Sequence, residues 1–83
     1  MNTEQLYLLL MQKMASKIKR TRKARGLTQE ALAGKCGLAI RHLQKIEAGE
    51  VNITLQTVAK LSCALSISPK YLFQLELDGD CDV

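Results

Sequence analysis

The chain has 83 residues, room for one domain with a small core. Apolar residues make up 47 %, Gly and Pro number only five and one, and Leu, Ala, Lys, Gln and Glu dominate. This composition excludes a disordered chain and favours helices, while a net charge of +4 and a pI of about 9.2 suit a polyanionic partner.

A first helix is predicted over residues 4–25, with Asn2 or Thr3 as N-cap. Leu6, Leu10, Met14 and Ile18 recur every four residues and form one apolar stripe. The run Leu6 to Met11 is too short to span a bilayer. Glu4 precedes it and no small-residue cleavage site follows, so no signal peptide and no membrane partner are expected. Lys13, Lys17, Lys19, Arg20, Arg22, Lys23 and Arg25 follow without an intervening acid, most of them in the last turns, where the helix dipole favours cations. Alone, such a run reads as a solvated face; beside a DNA-binding motif it reads as phosphate-contacting. Gly26 ends the helix.

Thr28 caps a second helix that closes near Cys36, and Gly37 supplies the left-handed residue of a tight turn. A third helix is predicted over 39–48, closed by Gly49. Ala33 stands where the two helices would cross, and a larger side chain there would push them apart. Leu43 and Ile46 face inward, while Arg41, Gln44, Lys45 and Ala48 share the opposite face. A small residue, a glycine four later and two inward apolar residues are geometrically linked requirements. Together they read as a helix-turn-helix over about residues 28–48, which sets one helix in a DNA major groove; the alternative is an ordinary helical hairpin.

Thr54 caps a fourth helix over 55–65, with Leu55, Val58, Leu61, Ala64 and Leu65 as its inward stripe. Ser68-Pro69 starts a fifth, expected to carry Tyr71, Leu72, Phe73, Leu75 and Leu77. That is more apolar surface than one short helix hides, so Tyr71, Leu72, Phe73 and Leu75 are candidates for a homodimer interface. Residues 1–77 are expected to form the domain and 78–83 an acidic tail, with Glu76, Asp78, Asp80 and Asp82 close together. The acids lack calcium-loop spacing. Cys36, Cys63 and Cys81 form no metal or disulfide pattern with the single His42. Cys36 and Cys63 fall at apolar positions and read as small core residues; a free Cys81 suits a reducing cytoplasm. Neither a nucleophile–base pair nor a phosphate-cradling loop occurs, so no enzyme, metal, cofactor or small-molecule ligand is expected.

Arg22, Gly26-Leu27-Thr28-Gln29-Glu30, Leu32-Ala33, Gly37, Leu43, Ile46-Glu47-Ala48-Gly49 and the stretch from Leu55 to Leu65 resemble the phage repressor and Cro family of helix-turn-helix regulators. The resemblance covers about residues 17–73. It implies an all-α, compact five-helix, lambda-repressor-like DNA-binding domain whose helices 2 and 3 form the motif. It also implies a homodimer on double-stranded operator DNA of two-fold symmetry. The size is similar to restriction–modification controller proteins and to stand-alone prophage regulators.

By matching positions, the resemblance places Gln29 on a phosphate or first base, and Ile40, Arg41 and Lys45 on base edges. Arg41 suits guanine O6 and N7. Gln44 flanks them, and Asn52 lies in a loop that contacts the backbone. His42, Arg20 and Lys23 are further candidates for DNA contact. Arg22 and Glu47 match a structural ion pair. Two departures stand out: Ala39 offers no side-chain cap, and Ile40 is apolar where a polar reader is usual. Ile40 either touches a thymine methyl or packs inward. Two rival functions remain open from sequence, an antitoxin-like partner-binding module and a non-specific nucleoid binder.

Overall fold

The computed structural model describes residues 1–75 and contains five helices: α1 (Thr3–Ala24), α2 (Gln29–Cys36), α3 (Ile40–Glu47), α4 (Leu55–Leu65) and α5 (Pro69–Leu72). Four of the five begin where the sequence supplies a cap. Asn2 accepts from the Gln5 N–H at 2.8 Å while Gln5 accepts from the Asn2 N–H at 3.0 Å, so the reciprocal box, not Thr3, starts α1. Thr28 and Thr54 hydroxyls accept from the amides three residues on, and Ser68 precedes Pro69 at the start of α5. Ala39 makes no side-chain bond, so α3 alone starts without one.

α2 and α3 pack on each other, α4 packs under α2, and α1 runs across α3, α4 and α5. Their shared core is Met14, Ile18, Leu32, Ala33, Cys36, Leu43, Ile46, Val58, Leu61, Leu65 and Leu72, edged by Leu27, Leu38, Val51, Ile53, Ile67 and Leu75. Ala33 is buried between its neighbours. The α2–α3 turn depends on Gly37 at φ +70°, ψ +28°, which lets the Leu38 N–H reach the Ala33 carbonyl at 2.9 Å. A Cβ at Gly37 would meet nothing within 4 Å, so a substitution there pays only the left-handed backbone. Gly37→Ala is therefore expected to cost about 1–2 kcal/mol, and Gly37→Asn less. Thermal melts would show a fall of roughly 4–15 °C for alanine. Equal melting temperatures would contradict the assignment.

Three expectations are corrected. Leu55 does not face inward but is 80 % exposed, the largest value among the exposed large apolar residues. At 100° per residue it stands about a quarter-turn off the line of Val58, Leu61 and Leu65, and it lies in the first turn, beyond the reach of the core. Cys63 is exposed for the same reason, since it lies about 200° around from Leu61. The fifth helix stops after four residues. Phe73 closes it, and Gln74 and Leu75 donate to Tyr71 and Phe73 carbonyls in tighter turns. Leu75 thus lies outside α5, although half-buried on the core. The expectations for Leu77, Cys81 and the acidic tail lie outside the described residues.

The two described cysteines differ in environment. Burial pushes the Cys36 thiol above its ordinary value of 9.0, opposed by Lys60, whose carbonyl also accepts from Cys36 Sγ at 3.7 Å. A folded-state value above the unfolded one gives a contribution present in full below pH 9 and lost as the pH rises through the folded value. Stability should therefore fall above pH 9 in the parent and less so in Cys36→Ala. Iodoacetamide on the folded protein should label Cys63 and spare Cys36 until urea is added. Equal labelling in a peptide map would contradict this packing.

Candidate nucleic-acid interface

α3 is held from behind and open in front. Leu43 and Ile46 are buried at 0 % and 1 % exposure and lock it onto α2. Glu47, on the same side, accepts from Arg22 Nε at 2.7 Å and from Arg22 Nη2 at 3.1 Å. Arg22 Nη1 donates to the Leu27 carbonyl at 2.8 Å. One guanidinium thus ties α1 to α3 and to the loop before α2, in the forked geometry that only arginine offers. Gln29 Nε2 donates to Glu47 Oε1 at 3.1 Å, so its amide is engaged within the protein.

The outward side of α3 presents Ile40, Arg41, His42, Gln44, Lys45 and Ala48, all exposed. Arg41, Gln44, Lys45 and Ala48 line one open cleft together with Glu50. None of the charged or amide side chains in this cleft bonds to another described residue, so among the described residues the donors of Arg41 and Lys45 are open. At the uncapped start of α3, the first amides likewise lack a side-chain acceptor. Ile40 is 36 % exposed and does not belong to the core, so inward packing is not its role. The geometry offers a convex rod with donors on one flank, bordering an open cleft. Among the described residues no group of His, Cys, Asp and Glu is arranged to hold a metal ion, and no helix is long and apolar enough to cross a membrane.

The helix-turn-helix family model (HTH_3) matches residues 18–72. The chain belongs to this family. It is 36 % identical over 56 residues to the control protein C.BamHI of Bacillus amyloliquefaciens, spanning 68 % of this chain and 69 % of that protein. Among solved structures, the restriction–modification controller protein C.AhdI from Aeromonas hydrophila superposes with a TM-score of 0.74 at 36 % identity, covering 76 % of this chain and 96 % of that one. The controller C.Esp1396I, solved as a tetramer with its natural 35 base-pair operator, superposes with a TM-score of 0.72 at 31 % identity, over 77 % and 84 % of the two chains.

In helix-turn-helix terms, α2 and α3 are the paired helices and Gly37 the turn. The remaining predicted contacts do not all share the α3 cleft. Asn52 is exposed in the loop after α3, where it borders a groove with Tyr7, Leu10, Met11 and Ile53. Lys23 is exposed near the end of α1. Arg20 lines a different cleft, between α1 and α5, with Lys17, Arg25 and Tyr71. There the Lys17 ammonium lies 4.3 Å from the Tyr71 ring centroid and donates to the Gln74 carbonyl. Of the proposed interface residues, Leu72 is 0 % exposed within its own protomer and cannot meet a partner, whereas Tyr71 and Phe73 are open to solvent. Sequence reasoning missed Glu50. The signal available was Gly49, a left-handed residue after a helix, which turns the next side chain back beside the last turn.

Proposed function

We infer that the protein is a sequence-specific transcription regulator of the controller type, which binds a two-fold symmetric operator as a homodimer. The observation that carries this reading is the exposed flank of α3, with unengaged Arg41, Gln44 and Lys45 on a helix fixed from behind by buried Leu43, Ile46 and Glu47. The likeness to three restriction–modification controllers supports it. The protein acts by occupancy, with no chemistry, in the cytoplasm where promoter DNA lies. Phosphates draw the cations through counterion release, and α3 chooses the sequence in the major groove. Two copies of α3 enter successive grooves about 34 Å apart. Gln29, Asn52 and Lys23 beside α3 and His42 on it act as positioning contacts, and Gln29 reaches DNA only by releasing Glu47.

Tyr71 and Phe73 are the exposed dimer contacts once Leu72 is assigned to the core, with Leu75 half-buried beside them. Replacing both by Ser should raise the dimer dissociation constant by at least about tenfold, as expected of exposed aromatic anchors. Sedimentation equilibrium reads this directly. An unchanged constant would move the interface elsewhere. Titration of the parent into an operator duplex should show two protomers per site and binding that weakens steeply with salt. Equal affinity for operator and random duplex would overturn the reading.

A further inference from the structure

Glu50 stands three residues beyond the end of α3. Ala48 closes the helix, Gly49 takes φ +73°, and the Glu50 N–H donates to the Lys45 carbonyl at 3.0 Å. This reversal returns Glu50 to the side of α3, where it lines the same cleft as Arg41, Gln44, Lys45 and Ala48. Its side chain is exposed and makes no ion pair or hydrogen bond with another described residue, although two cations share the cleft. A carboxylate without a partner among the described residues therefore stands at the C-terminal end of a surface that presents cations.

Such a group repels every phosphate regardless of sequence, so it weakens binding everywhere unless a donor meets it. In the major groove the donors are amino groups: cytosine N4 and adenine N6. Adenine presents its N7 acceptor beside the amino group, against which the second carboxylate oxygen would lie. Cytosine carries no acceptor on its own major-groove edge. Arg41 and Lys45 offer only donors, which fit guanine O6 and N7. Together the cleft would read both edges of G·C pairs.

We propose that Glu50 is a specificity-determining residue that accepts from a cytosine N4 amino group near the base pair read by Lys45 and penalises other bases at that position. The inference rests on the reading of α3 as a major-groove helix. It separates discrimination from affinity: Arg41 and Lys45 reward contact, and Glu50 disfavours contact with the wrong sequence.

The test compares the parent with Glu50→Gln and Glu50→Ala. Each is first checked for an unchanged melting temperature, as expected of an exposed loop residue, and then titrated against the selected duplex and its single-pair variants. Both variants should bind random duplex several-fold more tightly and show a steeper salt dependence. Both should lose about tenfold of the preference for cytosine at one position while the rest of the consensus stays. If random-duplex affinity rises but every position keeps its preference, Glu50 is only a charge and the proposal falls while the DNA-reading account stands. If the parent itself selects no consensus, both fail.

Discussion

Arg22→Ala is expected to lower the melting temperature by about 12–40 °C and to remove DNA binding by unfolding. The pair it breaks is buried, with Arg22 and Glu47 side chains at 9 % and 2 % exposure. The substitution leaves the Glu47 carboxylate with Gln29 Nε2 alone and the Leu27 carbonyl without its guanidinium donor. Stranding one member of a buried pair costs roughly 3–5 kcal/mol. In a domain of this size each kcal/mol moves the midpoint by about 4–8 °C. Arg22→Lys should recover only part of the loss, because an ammonium cannot bridge Glu47 and Leu27 in the same fork. Circular dichroism melts at 222 nm measure all three proteins. A variant melting with the parent would show that the pair is ornamental, and any lost binding would then belong to DNA contact.

Arg41→Ala is expected to do the opposite. Arg41 is exposed and bonds to no described residue, so its truncation leaves the melting temperature unchanged. Binding to the operator should weaken by roughly 1–3 kcal/mol, about 5- to 150-fold, with preference relaxed at one base pair. Fluorescence anisotropy against the operator and single-pair variants separates the possibilities. A uniform loss on all duplexes, with a shallower salt slope, would make Arg41 a phosphate contact. Side by side, the two variants divide the helix-turn-helix into a buried brace and an open reading flank.

Much of this division was legible in the sequence because local rules and the global fold agree. Thr28, Thr54 and Ser68-Pro69 carry their own start signals, and the helices begin where those signals stand. Gly37 and the inward pair Leu43 and Ile46 fix the angle between α2 and α3 without reference to anything distant. Periodicity failed where length mattered. Leu55 lies three residues before Val58, yet it stands a quarter-turn off the buried line and at the helix start, where no neighbour covers it. The apolar run after Ser68 suggested a longer helix, but Leu72 and Leu75 reach the core from a short turn. Gln29 shows a different limit. Its position suggests an outward contact, while the rotamer that bonds Glu47 depends on a carboxylate eighteen residues away in sequence. Glu50 was hidden because it follows the end of the predicted third helix, and only the left-handed Gly49 returns it to the cleft.

The account as a whole depends on α3 reading base edges as one of a symmetric pair. Selection of bound duplexes from a random pool, followed by sequencing, tests that most directly. The expected outcome is a consensus of two inverted half-sites centred about one helical turn apart, with G·C pairs prominent where Arg41 and Lys45 lie. A pool that emerges as random as it entered would contradict the account.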